Sequence, residues 1–232
     1  KLLMSHISDV LDITKFDAGK LTLRPSAMNI STLVQDIVDN QSGSAAAHDT
    51  TLEWGWSGEH IDWIYADKER IQHILMNVIG NAVKFTRGGK VSIEAKIVRD
   101  SKATPEIVIA VHDTGVGISD DLKYQIFDDF VTGYVSYDRE VGGTGLGFGI
   151  AQRFVKALGG TIEVESQHGI GSSFMVRFPI KPTHALQLQS HDGAEAKVAQ
   201  PSHILLVEDN EINRFVAREM LVSGGNTVTE AH

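Results

Sequence analysis

Hydrophobic residues recur at every third or fourth position in four segments of the chain. This spacing places them on one face of a helix, and each segment begins or ends at a residue suited to a helix terminus. Asn29 or Ser31 and Asp67 are suitable N-caps, while Gly19 and Gly159 stand where helices would end. The pattern predicts helices over residues 1–19, 29–38, 67–85 and 145–158.

Short runs of alternating or continuous apolar residues lie between these helices. They are rich in Val, Ile and Phe, which is typical of β-strands. A short polar loop joins the first two runs, so we expect these strands to be antiparallel. Interleaved helices and strands favour an α+β fold, a two-layer sandwich in which helices cover a mixed β-sheet. The predicted strands are residues 91–98, 107–112, 161–165 and 174–178.

The composition changes at Lys181. Residues 181–202 are rich in Gln, Ser, Ala and His and show no sustained periodicity, which is typical of a linker. An apolar run at 203–207, a helical pattern at 211–222 and a short strand pattern at 227–229 then predict the start of an α/β domain. The expected parts are a helix tail at 1–19, an α+β domain at 20–180, the linker at 181–202 and an incomplete domain at 203–232.

The composition excludes several classes of function. The net charge of −9 and the lack of Lys/Arg-rich runs disfavour binding to nucleic acid or directly to a membrane. The absence of cysteine excludes disulfides and thiolate metal sites and suits a reducing compartment. No secretory signal or bilayer-spanning run is visible, so we expect a cytoplasmic location. Because the chain begins at Lys1, we expect further segments upstream.

The helix at 67–85 carries a narrow polar strip opposite its apolar face. Arg70, Asn77, Asn81 and Lys84 fall within this strip at 100° per residue. A carboxamide oxygen suits a hard cation and an ammonium suits phosphate, so the strip has the chemistry of a metal and anion site. The alternative is a solvated face of an amphipathic helix.

Two glycine clusters follow this helix. In HDTGVGI, Asp113 ends an apolar strand and is followed by Gly115 and Gly117, so a ligand can approach the backbone closely. In GGTGLGFGI, residues 143–147 open a helix whose unpaired amides suit a polyphosphate. Ordinary turns are the alternative for either cluster. Neither cluster fits the dinucleotide or P-loop signature.

Five motifs occur in a recognisable order: NxxxNAVKFT, DTGVGI, FDDF, GGTGLGFGI and GIGSSFMVRFP. With them, residues 29–180 resemble the ATP-binding catalytic domain of sensor histidine kinases, in the wider family of gyrase, heat-shock protein 90 and MutL ATPases. The resemblance implies the Bergerat-type fold. ISDVLDITKFDAGKLTL resembles the second helix of the kinase dimerisation hairpin, and ILLVEDNEINRFVAREML resembles the start of a receiver domain. That order of domains is the layout of hybrid sensor kinases.

The resemblance implies roles for individual residues. Asn81 would bind Mg²⁺ with ATP, Lys84 would reach the triphosphate, and Asp113 would accept the adenine amino group. The floor of the adenine pocket would contain Gly115 and Gly117. The phosphate cradle would consist of Gly143, Thr144, Gly145, Leu146 and Gly147.

The resemblance also implies a lid over ATP at residues 131–142, with Phe127 and Phe130 as hydrophobic anchors. The chain departs from the family pattern in two places. Asp129 stands where FxPF has Pro, and GFGI, which contains Gly149, replaces the common GLAI. The first departure bears on the geometry of the lid.

Asn77 bears on the reaction type. The hydrolytic relatives have a water-activating Glu four residues before the metal-binding Asn, and an amide accepts no proton at neutral pH. Catalysis then reduces to positioning and charge neutralisation with Lys84, which favours phosphoryl transfer to a histidine. A regulatory ATP-binding module without transfer activity and a hydrolytic ATPase remain alternatives.

None of the ten histidines fits the phosphoacceptor pattern, so we expect that histidine upstream of Lys1. Glu208 and Asp209 match two acidic residues of a receiver's Mg²⁺ site, whose phosphorylated Asp would lie further along. The expected partners are the kinase's own dimerisation hairpin and receiver, a downstream phosphotransfer protein or response regulator, and a second copy in a full-length homodimer.

Overall fold

The computed structural model describes residues 13, 14, 16, 18–99, 104–129, 131, 145–183, 203–207, 218, 222 and 227–231. The chain divides into two units, Lys1–Ala185 and Leu186–His232. The first unit contains four helices within its described residues, and their bounds follow from N-terminus to C-terminus. They are α1 (Ile30–Ala47), α2 (Lys68–Lys84), α3 (Asp120–Lys123) and α4 (Gly147–Ala157).

Polar side chains fix the starts of the two long helices. The Asn29 side chain accepts a hydrogen bond from the Thr32 backbone N–H at 2.8 Å. Asp67 caps α2 in the same way, with Arg70 N–H as donor at 3.1 Å. Both predicted N-caps are confirmed, with Asn29 rather than Ser31 at the first. α1 runs nine residues further than the predicted end because its last turns are polar and bury only Ala45.

The described strands form three sheets. The large sheet has the order β2-β4-β5-β7-β6, with β2 parallel to β4 and the other neighbours antiparallel. A small antiparallel sheet has the order β1-β3-β8. The first unit contains β1 (Ser26–Asn29), β2 (Thr51–Trp56), β3 (Trp63–Ala66), β4 (Lys90–Val98), β5 (Glu106–Asp113), β6 (Thr161–Gln167), β7 (Gly171–Pro179) and β8 (Lys181–Pro182).

The core lies between the helices and one face of the large sheet. α2 is its centre, since all seven of its apolar positions facing the sheet and the other helices are buried. The opposite sheet face alternates with the core face and carries Glu94, Lys96 and Arg177. This arrangement is the predicted two-layer α+β sandwich, and the four predicted strands are confirmed within two or three residues.

The structure adds elements that the sequence pattern did not predict. These are β1, β2, β3, the short α3 and β8, which pairs Lys181 and Pro182 with β3 where the linker was expected to begin. The missed strands are short or only half-buried, so their apolar alternation is weak. Of the predicted helix at 1–19, Ile13, Thr14 and Phe16 are helical, and the remaining residues up to 17 lie outside the described set.

The second unit contains two described strands, β9 (His203–Val207) and β10 (Thr227–Ala231), which pair in parallel. Both strands were predicted. Arg218 and Val222 are helical, whereas the rest of the predicted helix and the acidic pair Glu208 and Asp209 lie outside the described residues. The described helices include none with the length and apolar character needed to cross a bilayer.

Candidate functional site

The polar strip of α2 lies against the first turn of α4. Asn77 donates its side-chain N–H to the His73 carbonyl at 3.1 Å. A Cβ added to Gly147 would lie only 2.5 Å from the Asn77 Oδ1 atom. Glycine at this position therefore allows the two helices to approach, and the Asn77 carboxamide borders the start of α4.

Asn81 and Lys84 continue the strip toward the end of α2. Asn81 is half-buried and makes no side-chain hydrogen bond to another described residue. The Lys84 Nζ atom lies 5.0 Å from the centre of the Phe85 ring. Burial lowers the pKa of the Lys84 ammonium from its ordinary value. An anion beside it would offset this effect, because an opposite charge favours the protonated form.

Asp113 is the last residue of β5 and is half-buried. Its Oδ1 atom accepts a hydrogen bond from the Gly115 N–H at 2.9 Å. Burial raises the pKa of Asp113, while hydrogen bonds from Gly115 and from the backbone and side chain of Ser172 partly offset that rise. The result is a desolvated carboxylate at a strand end, held in place by N–H and O–H donors.

The loop after Asp113 packs against the end of α2. Val116 donates its N–H to the Phe85 carbonyl at 3.3 Å, and a Cβ on Gly115 would collide with that same carbonyl oxygen. Gly117 adopts a φ of 65°, and a Cβ there would collide with the Gln167 carbonyl. Both glycines predicted for this loop are thus required by its close backbone contacts.

The first turn of α4 supplies unpaired backbone N–H groups. Gly145 has a φ of 71°, and the buried side chain of Leu146 anchors the turn with 3% exposure. The first α-helical hydrogen bond runs from Ile150 N–H to Leu146 C=O at 2.9 Å, so the preceding amides have no partner within the helix. This end of α4 has the partial positive charge that binds anions. Gly143 and Thr144 lie outside the described residues.

The structure therefore groups the candidate residues around α2. Gly147 adjoins Asn77 near the middle of the helix, and the Asp113 loop adjoins Phe85 at its C-terminus. Sequence reasoning missed Ser172, which faces Asp113 across the paired strands β5 and β7. Its motif, GIGSSF, is visible in the sequence, but the register that brings Ser172 to Asp113 is not. Phe130 and the predicted lid beyond Val131 lie outside the described residues.

Comparison with known families identifies the domain. Residues 66–182 match the family described as histidine kinase-, DNA gyrase B-, and HSP90-like ATPase. The match runs from the end of β3 to β8 and includes α2, Asp113, α4 and Ser172. The chain belongs to this ATPase family, and its domain is of the histidine kinase catalytic type.

Several curated relatives are sensor kinases. The chain is 32% identical over 228 residues to the sensor histidine kinase AruS of Pseudomonas aeruginosa, covering 97% of this chain and 22% of AruS. It is 30% identical over 226 residues to the autoinducer 2 sensor kinase/phosphatase LuxQ of Vibrio cholerae, covering 93% of this chain and 26% of LuxQ. The chain thus spans about a quarter of the length of these relatives.

Solved structures confirm the fold. Full-length ShkA in complex with AMPPNP superposes with a TM-score of 0.67 at 27% identity, over 99% of this chain and 45% of ShkA. The catalytic domain of the histidine kinase ThkA superposes with a TM-score of 0.57 at 23% identity, over 68% of this chain and 96% of that domain. The predicted fold class and the family resemblance are both confirmed.

Proposed function

We propose that this domain binds Mg²⁺-ATP and transfers the γ-phosphate to a histidine of a dimerisation hairpin in a hybrid sensor kinase. The observation that carries the proposal is the grouping around α2 of a buried carboxylate beside its C-terminus and an open helix N-terminus beside its middle. A base needs the first group and a polyphosphate needs the second. The ShkA structure in complex with AMPPNP supports a nucleotide ligand for this fold.

Asp113 serves the base end of this site. Its carboxylate accepts the amino group of adenine, and Gly115 and Gly117 allow the ring to lie against the backbone. Guanine presents a carbonyl oxygen at the corresponding position, which the carboxylate repels. The site therefore selects ATP over GTP.

The phosphate end uses the first turn of α4 together with Asn81 and Lys84. The carboxamide of Asn81 fits a Mg²⁺ ion that arrives with the nucleotide, because its oxygen has no competing donor among the described residues. No group of three His, Cys, Asp or Glu in the described part of the chain suits a metal, so the remaining ligands come from phosphate and water. Lys84 neutralises charge on the transferring phosphate. Gly145, Leu146 and Gly147, with Gly143 and Thr144 before them, cradle the triphosphate.

Transfer is favoured over hydrolysis by the surroundings of Asn77. Its N–H is engaged by the His73 carbonyl, and its oxygen faces the α4 turn, so no carboxylate activates water from this position. The γ-phosphate then waits for a better nucleophile, an imidazole. Catalysis consists of positioning and charge neutralisation.

The acceptor histidine belongs to the hairpin that precedes this domain, in a homodimeric parent. The segment from His203 onward starts a receiver, in which Glu208 and Asp209 contribute to the Mg²⁺ site that supports phosphorylation of an aspartate further along. The phosphate then passes to a downstream phosphotransfer protein or response regulator.

Two measurements test the proposal. Calorimetry with Mg²⁺-ATP and Mg²⁺-GTP should show binding of ATP and much weaker binding of GTP. Radiolabelled ATP and a supplied acceptor hairpin should then give a labelled hairpin. Asn81→Ala should prevent labelling, whereas Asn40→Ala, an exposed α1 control, should not. ATP binding without labelling would indicate a regulatory module, and phosphate release that outpaces labelling would indicate a hydrolase.

A further inference from the structure

Asp129 and Arg153 form a bidentate ion pair behind the first turn of α4. The Arg153 Nη1 and Nη2 atoms donate to the two carboxylate oxygens of Asp129 at 2.7 and 2.8 Å. The side chains are only 20% and 29% exposed, respectively. A bidentate, partly buried pair of this kind holds its two elements in a defined orientation more firmly than a surface pair does. It joins the turn that follows α3 to the middle of α4.

Gly149 makes room for this ion pair. A Cβ added there would lie 2.7 Å from Asp129 Oδ1, 3.2 Å from Arg153 Nη1 and 3.2 Å from the Phe127 carbonyl oxygen. Gly is otherwise unfavourable inside a helix, where Ala is preferred. Asp129 and Gly149, two positions at which the chain departs from the family pattern, are thus in direct contact.

Aromatic contacts extend this connection to the sheet. Phe127 packs edge-on against Phe148, with ring centres 6.1 Å apart. Phe148 stacks on Phe174 of β7 at 4.7 Å, with 11° between the ring planes. The turn after α3 therefore contacts α4 within its first two turns, on the side away from Asn77.

We infer that Asp129, Arg153 and Gly149 act as one positioning unit for the N-terminus of α4. The unit holds the first turn of α4 where its amides meet the triphosphate, while Asn77 borders the same turn from α2. This inference rests on the proposed ATP site. Because Asp113 is held by other contacts, on β5 and β7, the unit governs affinity for the phosphates and leaves affinity for the base unchanged.

Ligand affinities of full-chain variants test the unit. Asp129→Ala and Arg153→Ala should each weaken binding of Mg²⁺-ATP by about five- to tenfold, and the double variant should lose no more than either single one, as expected for groups that act together. Adenosine affinity, measured by NMR titration, should not change. Glu106→Ala is the matched control, since it removes another partly buried pair, to Arg177 at 3.1 Å, remote from α4. It should leave both affinities unchanged.

Gly149→Ala tests the steric part of the inference. In the native background it should lower the melting temperature, because the added methyl displaces the ion pair. In the Asp129→Ala background it should raise the melting temperature, because Ala is the better helix former. The same sign in both backgrounds would overturn the inference.

The remaining outcomes separate the two proposals. If the native chain binds no ATP, the proposed function fails. If the native chain binds ATP and Asp129→Ala binds it equally well, or loses ATP and adenosine affinity in equal proportion, the positioning unit is refuted. Should Asp129→Ala fail to fold by circular dichroism, Asp129→Asn, which keeps the shape and removes the charge, takes its place with the same expected direction.

Discussion

Replacing Asp113 with Asn changes one oxygen of a half-buried carboxylate into an N–H donor and removes its charge. In the native chain that carboxylate accepts from Gly115 at 2.9 Å and from Ser172, and in the proposed complex it also accepts from adenine. The amide has a single oxygen for these donors, so at least one donor then faces another donor. We expect the loss to fall on the ligand, because the Gly115 and Ser172 bonds are formed before it binds.

The size of the effect follows from the kind of hydrogen bond that is lost. A hydrogen bond to a charged group contributes about 1.5–3 kcal/mol. At roughly 1.4 kcal/mol per tenfold, ATP affinity should fall about ten- to a hundredfold. GTP affinity should stay the same or rise, because the Asn amide can donate to the guanine carbonyl. The ratio of ATP to GTP affinity therefore narrows.

Calorimetry of native and Asp113→Asn protein with both nucleotides measures this ratio, and adenosine titrations add its pH dependence. Burial raises the pKa of Asp113 above 3.8, so its carboxylate is protonated at a less acidic pH than that of an ordinary Asp. Acidification should weaken adenosine binding by the native protein as the pH falls toward this raised pKa, and not by the variant. By linkage, the stabilising effect of a protonated Asp113 is present below pH 3.8 and is lost as pH rises through the raised value. An unchanged ratio of ATP to GTP affinity in Asp113→Asn would refute the assignment of Asp113 to the base.

Three further predictions concern α2 and its neighbours. Gly147→Ala should destabilise the fold by about 1 kcal/mol in urea unfolding, and Asn77→Ala should restore it by removing the colliding amide. Asp67→Ala should cost roughly 2–3 kcal/mol, against about 1 for Asn29→Ala, because the buried Asp67 accepts from both Arg70 and Arg24; equal losses would contradict this reasoning. Asn81→Ala should abolish the Mg²⁺ dependence of ATP binding while leaving metal-free binding unchanged, as calorimetry with and without EDTA would show.

Local signals predicted much of this fold. α2 was predicted to within a residue at both ends because it has a strong N-cap, seven buried apolar positions and glycines beyond its end. β2 was missed because it alternates only between half-buried and exposed positions and contains Gly55. The end of α1 was placed too early because a helix that is polar on all sides shows no periodicity, and Ala45 is the one buried residue after Val38.

The candidate site was predictable where a single segment carries the chemistry. Asp113 could be recognised because a carboxylate at a strand end followed by glycines is a local pattern. Ser172 and the Asp129–Arg153 pair were not recognised because each contact joins residues far apart in sequence, by 59 and 24 positions, respectively. Strand register and helix packing decide such contacts, and no local pattern encodes them.

The small sheet determines where the polypeptide arrives at this domain and where it departs. β1 and β8 flank the same strand, β3, so the incoming and outgoing chains lie two strand spacings apart, roughly 10 Å. Flanking domains attached at these two points share one mechanical mounting. A force applied through both connections would pass across β3 and bypass the nucleotide pocket, so the domain can be carried as a rigid cargo between its neighbours without being deformed.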